Sequence, residues 1–346
     1  MSVQTVLGKI ECDCLGIVLS HEHVVLDRSL AASEPEEDET KELFYSKVTI
    51  DKLGRLKRNP LAIRDNLIIS DENTQYNELM HFKNAGGKTL VDVTTTGLGR
   101  NPELLRRMAE KTGLNIIAGA GYYMEPFIPE TILDYSIDEL KKEIIKQLRE
   151  GIDDTGVKAG VIGEIGFNLS SRYFEKNSLS ASCRAQVETG APLSIHVNPW
   201  APAAYEAMEI INDHGVEPEK VVICHLDAKD DIDFLVGLLD KGIFIEFDDF
   251  GREVTRDLIH CRPGLGRFLT DWEMLRLLKR LIDRGYVKQI LLSMDMCLKH
   301  VLRAYGGWGY DHILTNLVPM MLELEITQAQ IDAMLIHNPT RWLDVQ

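Results

Sequence analysis

GIVLSHEH, residues 16–23, joins a short apolar run to two histidines that are one residue apart. The apolar run predicts a β-strand, and because side chains alternate along a strand, His21 and His23 point to the same side. Two imidazoles on one side of a strand end are suited to binding one metal ion. A His-x-His pair alone is a weak signal, so the prediction of a metal site depends on which residues end the other strands.

Seven further apolar runs follow the first, with amphipathic helical stretches between them. Most of the runs are apolar throughout, as strands buried on both faces must be. Eight strand and helix units without a Pro- or Ser-rich linker predict a (β/α)8 TIM barrel, an α/β fold, formed as a single domain by residues 1–346. The predicted strands are residues 16–20, 89–93, 115–118, 160–164, 192–197, 220–225, 243–247 and 289–293.

Local signals support the helices and mark one interruption. Ser136 and Glu139 predict a capping box, and Asn101 precedes a proline at the start of another helix. Residues 28–59 break the alternation with a long, acidic stretch directly after the first predicted strand. We predict an extended loop there on the catalytic face, which is either a solvated surface insertion or a substrate lid.

Composition narrows the class of protein. The chain has 54 acidic and 38 basic side chains, and its formal charge of −16 disfavours nucleic acids and anionic membrane surfaces as partners. Neither an export signal nor a membrane-spanning run of about 18 apolar residues is recognisable. The six scattered cysteines are typical of reduced thiols. These features predict a cytoplasmic protein that binds neither nucleic acid nor membrane.

Imidazole and carboxylate side chains end four more of the predicted strands. Taken singly, each is more often a core histidine, a helix cap or an ion-pair partner. Together with the first two histidines they would meet at one rim of the barrel, where their desolvation and mutual repulsion require a cation. The sequence therefore predicts a metal centre there. The four residues are Glu164, His196, His225 and Asp295, at the ends of the fourth, fifth, sixth and eighth predicted strands.

In order and spacing these motifs resemble the phosphotriesterase-related branch of the amidohydrolase superfamily. The resemblance spans nearly the whole chain. It rests on HEH at 21–23, GEIG at 163–166, IHV at 195–197, CHLD at 224–227 and SMD at 293–295. It implies two divalent metal ions per chain, most often zinc, with manganese, cobalt or iron as alternatives, and it makes a homodimer plausible.

The resemblance also assigns the ligands residue by residue. His21, His23 and Asp295 would bind the more buried ion, and His196 and His225 would bind the second. Many relatives bridge the two ions with a carbamylated lysine at the end of the fourth strand, whereas this chain has Glu164 there. The nearest lysine, Lys158, lies six residues earlier. A carboxylate can hold both ions, so we expect no carbamylation.

The activity implied by this resemblance is hydrolysis. A hydroxide shared by the two ions would attack the substrate, and Asp295 would act in catalysis by taking up the proton. We predict a small carbonyl ester as substrate, with a sugar lactone or phosphorylated sugar lactone as the preferred class. The alternatives are amide hydrolysis of an N-acylated small molecule and phosphotriester hydrolysis. A non-catalytic binding barrel is disfavoured, because binding alone makes no demand for six metal ligands.

Four residues in predicted loops are candidates for contacts with the substrate. Tyr122 and Tyr123 follow the third predicted strand, where a tyrosine of the related family can approach the substrate oxygen. Arg252 and Lys299 follow the seventh and eighth strands and are suited to an anionic group. Each also has an ordinary interpretation, as an aromatic packed at the rim or as a surface charge.

Overall fold

The computed structural model of the protein describes residues 2–168, 172–252 and 268–345, apart from the side chain of Glu39. The strands in this part of the chain alternate with helices, as the sequence predicts. They are β1 (Ser2–Thr5), β2 (Gly8–Glu11), β3 (Val18–Glu22), β4 (Leu26–Asp27), β5 (Ile68–Ile69), β6 (Thr89–Asp92), β7 (Asn115–Ala120), β8 (Val161–Phe167), β9 (Leu193–Val197), β10 (Val221–Ile223), β11 (Phe244–Phe247) and β12 (Ile290–Leu292).

Eight of these strands form one parallel sheet in the order β3-β6-β7-β8-β9-β10-β11-β12. The last strand returns to the first, where the backbone N–H of Asp295 donates to the carbonyl of His21 at 3.1 Å. The predicted (β/α)8 barrel is confirmed. All eight predicted strands are present, with bounds that differ by a few residues. The antiparallel pairs β1-β2 and β4-β5 were not predicted.

Helices cover the outside of the barrel. The capping box at Ser136 is present, because Ser136 N donates to Glu139 Oε2 at 2.8 Å and Glu139 N donates to Ser136 Oγ at 3.3 Å. Asn101 Oδ1 caps another helix by accepting from Leu104 N at 3.0 Å. The α-helices are α1 (Asp38–Phe44), α2 (Leu53–Arg58), α3 (Glu72–Asn84), α4 (Pro102–Thr112), α5 (Glu130–Leu133), α6 (Ile137–Arg149), α7 (Tyr173–Thr189), α8 (Ala203–Asp213), α9 (Ile232–Leu239), α10 (Asp271–Asp283), α11 (Val318–Glu323), α12 (Gln328–Asp332) and α13 (Asn338–Leu343).

The insertion at residues 28–59 is folded. It contains α1 and α2, and its residues Val48 and Leu56 pack with Ile63 in a small separate apolar cluster. Arg28, at its start, lines the main cavity at the carboxyl ends of the barrel strands. The segment therefore lies on the face where the sequence placed it.

The barrel interior toward the amino ends of the strands is filled with apolar side chains. One buried cluster contains Val18, Val91, Phe244 and Leu291 of the strands together with Trp342 of α13. This plug leaves the carboxyl ends of the strands as the place for polar groups. Within the described ranges, no helix is long and apolar enough to cross a membrane.

His300 gives the fold a pH-dependent contribution to stability. It is buried in the segment that follows β12, where its backbone N and its Nδ1 both donate to Asn66 Oδ1, at 2.9 and 3.0 Å. Burial lowers the pKa of His300 from 6.5 to about 4. Between those values the unfolded chain binds a proton that the folded chain excludes. Stability due to His300 is therefore present above pH 6.5 and lost as the pH falls toward 4.

We expect His300→Gln to remove this component. Between pH 7 and pH 5 the variant should lose about 2 kcal/mol less of its unfolding free energy than the wild type loses. Urea titrations at the two pH values measure the difference. An equal loss in both proteins would show that His300 is not held neutral by burial.

Candidate metal centre

The predicted metal ligands converge at the carboxyl end of the barrel. They are all at most 17% exposed at the side chain, and five of the six are nearly fully buried. Three of them lie within strands and three follow strands, and they come together because neighbouring parallel strands end at the same rim. The six residues are His21 of β3, His23 directly after it, Glu164 of β8, His196 of β9, His225 after β10 and Asp295 after β12.

Glu164 lies in the middle of this group. Its Oε1 is 3.4 Å from His23 Nε2. Its Oε2 is 3.7 Å from His21 Nε2, 2.9 Å from His196 Nδ1 and 3.6 Å from His225 Nε2. One carboxylate thus faces both halves of the cluster, which is the position expected of a group that bridges two ions.

Asp295 closes the cluster on the opposite side. Its Oδ1 is 3.1 Å from His23 Nε2 and 4.0 Å from His21 Nε2, and its Oδ2 is 3.8 Å from His225 Nδ1. Arg252 donates to this carboxylate and, at 2.7 Å, to the Asp295 carbonyl. The guanidinium therefore fixes the side chain at the edge of the cavity.

Orphaned atoms show that these residues fit metal ions. Among the described residues, both ring nitrogens of His21 and the Oδ1 atom of Asp295 are buried without a hydrogen-bond partner. Buried polar atoms are normally paired. The ligand atoms of His21, His23 and Asp295 lie within 4.8 Å of one another, as do those of His21, Glu164 and His225. A cation in each group would satisfy His21 Nε2 and Asp295 Oδ1, and imidazole with carboxylate suits divalent transition metals.

The charges within the cluster are complementary. Burial opposes protonation of His23, but the carboxylates of Asp295 and Glu164 outweigh it and raise the pKa of His23 well above 6.5. Burial also opposes ionisation of Glu164, but the imidazoles of His196, His225 and His23 outweigh it and lower its pKa well below 4.5. Metal ions bind neutral imidazole, so metal binding must displace protons from these rings.

Glu22, the residue between the two histidines, was not predicted to have a role. Its Oε1 accepts from Ser293 Oγ at 2.6 Å and from Met294 N at 2.9 Å, and its Oε2 accepts from Met296 N at 3.2 Å. Burial raises the pKa of Glu22 to about 8. These bonds clamp the loop on either side of Asp295 to β3. The alternation in HEH signals this role, because it turns Glu22 away from the metal ligands.

An open cavity of about 170 Å³ leads to the cluster. Leu61, Leu98, Met124, Trp200 and Phe268 contribute apolar walls. Two guanidinium groups also line the cavity, one of which, Arg28, the sequence interpretation missed. A small molecule with an apolar part and an anionic group fits such a lining.

The four predicted substrate contacts are placed differently. Tyr123 lines the cavity, with its hydroxyl 3.5 Å from His196 Nε2, and Arg252 lines it as well. Tyr122 is buried against Phe174, with 6.0 Å between the ring centroids. Lys299 forms an ion pair with Asp65 at 2.9 Å. Contacts of all four with a substrate stay predictions.

A parallel eight-stranded barrel with buried imidazoles and carboxylates at its carboxyl end defines the class of metal-dependent hydrolase barrels. The family model described as the phosphotriesterase family matches residues 1–343. The chain belongs to the phosphotriesterase family, which is binuclear and metal-dependent, and it is a hydrolase.

Relatives and solved structures cover nearly the whole chain. An N-acetyltaurine hydrolase from Danio rerio is 37% identical over 343 residues, which are 99% of this chain and 97% of that protein. A crystal structure of a resiniferatoxin-binding protein from Rhodobacter sphaeroides matches with a TM-score of 0.95 and 32% identity, over 99% and 95% of the two chains. A lactonase from Listeria monocytogenes matches with a TM-score of 0.79 over the full length of both chains, and at 21% identity it shows the fold alone.

Glu164 leads to a prediction about assembly of the centre. Lys158 is exposed and precedes β8, whereas Glu164 already occupies the middle of the cluster. We expect the apoprotein to recover its metal ions and its activity equally well with and without bicarbonate, because no lysine has to be carbamylated. Zinc reconstitution in CO2-free buffer, followed by metal analysis, measures this. Recovery that depends on bicarbonate would contradict the carboxylate bridge.

Proposed function

We propose that this hydrolase cleaves the amide bond of an N-acylated small molecule that carries an anionic group. Similarity over almost the full length to N-acetyltaurine hydrolases supports the amide bond, and taurine is an aminosulfonate. The anionic group is supported independently by Arg28 in the cavity. That guanidinium is the single observation on which the proposal depends most.

Arg28 is a half-buried cation at the cavity wall that forms no ion pair with the described residues. One of its nitrogens donates to Cys297 Sγ at 2.7 Å, and its Nε is buried without a hydrogen-bond partner in the described part of the chain. A partly desolvated guanidinium without a paired anion is well suited to bind an anionic group. An anionic substrate group would supply the missing partner, and the planar guanidinium can hold a sulfonate or a carboxylate with two hydrogen bonds.

The metal ligands would supply the hydrolytic chemistry next to this cation. Two divalent ions, which we infer to be zinc, would contribute Lewis acidity toward a water molecule and toward the acyl oxygen. Tyr123, whose hydroxyl lies at the cavity wall near His196, would donate a hydrogen bond to that oxygen. Asp295, held by Arg252, would accept a proton during attack and return it to the leaving nitrogen. An amine leaves poorly without that proton.

Lactone hydrolysis, the substrate class preferred from the sequence, stays a competing prediction. A lactone presents the same acyl carbon and needs less help at the leaving group, so the cluster is chemically competent for it. The lactone prediction is supported by the family resemblance. The Listeria lactonase adds no support for the substrate, since it shares only the fold with this chain. Phosphotriester hydrolysis stays a third prediction.

We also infer a cytoplasmic location. The cysteines in the described part of the chain form no disulfide, which supports a reducing compartment. A homodimer stays a prediction, which the oligomeric state in solution tests.

A matched substrate panel tests the proposal. We expect the zinc-loaded protein to hydrolyse N-acetyltaurine and N-acetyl-β-alanine at least 100-fold more efficiently than N-ethylacetamide, which has the same acyl group and no anion. Five- and six-membered lactones are included in the same assay. Efficient lactone opening together with inert N-acyl acids would overturn the proposal in favour of the lactone class.

Replacing Arg28 separates recognition of the anion from the chemistry. We expect Arg28→Met to raise KM for the anionic amide by roughly 10- to 100-fold, the value of a lost charge-assisted hydrogen-bond pair, with little change in kcat. Arg107→Met, which removes an exposed arginine paired with Glu72, is the control and should leave KM unchanged. Arg28→Met weakening charged and uncharged amides equally would argue against an anion-binding role.

A further inference from the structure

Glu246 is a buried acid that the proposed reaction does not use. It lies in the middle of β11, fully buried, and both of its carboxylate oxygens lack a hydrogen-bond partner among the described residues. Phe244, two residues earlier, belongs to the apolar cluster inside the barrel. Because side chains alternate along a strand, Glu246 and Asp248 also point to the barrel interior.

These two carboxylates lie behind two of the metal-binding histidines. Glu246 Oε2 is 3.4 Å from His21 Nδ1. Asp248 Oδ1 is 3.1 Å from His225 Nδ1 and accepts from the backbone N–H of His225 at 3.0 Å. In both rings Nε2 is the nitrogen nearest Glu164. In His21, Nδ1 faces away from Glu164 toward Glu246 of β11 and toward Asp248 Oδ2, which lies 3.5 Å from it directly after that strand. In His225, Nδ1 is nearest Asp248, and Asp295 Oδ2 lies farther away at 3.8 Å.

We propose that Glu246 is a positioning residue of the metal centre, which accepts the Nδ1 proton of His21 and thereby directs the Nε2 lone pair of His21 to the metal ion. Metal-binding histidines commonly donate their second ring N–H to a carboxylate, which fixes the tautomer and the ring orientation and makes the imidazole a stronger ligand. This inference requires a metal centre but does not depend on which substrate is hydrolysed.

Charge supports the same role. Two divalent ions would bring four positive charges, whereas the two ligand carboxylates, Glu164 and Asp295, carry two negative ones, and Asp295 is also paired with Arg252. Glu246 and Asp248 are further buried carboxylates beside the same imidazoles and would offset part of the remaining positive charge. In a low-dielectric interior an uncompensated charge is expensive. Removing the charge of Glu246 should therefore weaken retention of the ions as well as loosen His21.

Glu246→Gln tests this assignment, since it keeps the size of the side chain and removes the charge. We expect the dissociation constant for zinc at the weaker of the variant's two sites to be 10- to 100-fold higher than that of the weaker site in the wild type. Competition between the apoprotein and a chromophoric chelator for zinc measures this constant. Cobalt-loaded protein should show an altered ligand-field absorption spectrum, because the orientation of His21 changes. Neither readout depends on catalytic turnover.

The control is Glu78→Gln, the same substitution at a buried acid on α3. Glu78 accepts from the backbone N–H groups of Arg303 and Ala304, at 3.0 and 2.8 Å, and faces none of the metal ligands. Its metal affinity and cobalt spectrum should match those of the wild type. Wild-type affinity and spectrum in Glu246→Gln would overturn the proposal.

Metal content of the wild type and the variant, and NMR of the wild type, cover the remaining outcomes. Cys224 and Asp248 also have ligand atoms within 4.8 Å of those of His21 and Glu246. A metal content of three ions per chain, falling to two in Glu246→Gln, would make Glu246 a ligand and overturn its positioning role. If that variant does not fold, NMR of the zinc-loaded wild type with 15N-labelled histidine decides. A strongly downfield, slowly exchanging Nδ1 proton assigned to His21 supports the proposal, and a His21 ring without that proton contradicts it.

Discussion

Mutual repulsion of acids within a closed barrel is the constraint on which this structure depends. Glu164, Asp295, Glu246 and Asp248 are buried within a few ångströms of the same imidazoles. Such a group is unstable in an apolar interior unless positive charge is present. Protonated histidines supply some of it in the metal-free chain, and divalent ions are suited to supply the rest. A metal centre at this rim, together with Arg252, would balance the charge of these acids.

The barrel meets this demand by dividing its interior into two layers. The amino ends of the strands carry the apolar plug that includes Val18, Phe244 and Leu291. The carboxyl ends carry the six predicted ligands, and Glu22 holds the loop of Asp295 against β3 through three hydrogen bonds. The predicted ligands thus lie in or just after strands, while loop residues such as Leu61 and Trp200 contribute to the cavity walls. Such a division lets loop changes alter the substrate without disturbing the chemistry.

The barrel, and the meeting of the six predicted ligands at one rim, could be predicted from the sequence because both depend on local patterns. Continuous apolar runs mark parallel strands, and a polar residue that ends such a run, as Glu164 and His225 do, lies at the catalytic rim. The family resemblance then assigned each ligand. Bounds of single strands were less accurate, since hydrogen bonds between strands decide where each one ends.

The residues that were missed owe their roles to contacts distant in sequence. Glu246 looks like an ordinary strand residue until the closed barrel brings β11 and β3, with β12 between them, around one interior. Arg28 looks like a surface charge until the chain after β4 brings it to the cavity wall. Tyr122 and Tyr123 are adjacent, so only the path of the chain after β7 determines which one faces the cavity. The folded helices of the insertion were also missed, because its acidic composition resembles a solvated loop.

Anomalous diffraction from crystals of the zinc-loaded protein, recorded at the zinc absorption edge, tests the central claim most directly. The account predicts two peaks on either side of Glu164, one bounded by His21, His23 and Asp295 and the other by His196 and His225. A single peak, or peaks away from Glu164, would contradict the claim that these six side chains hold a pair of ions.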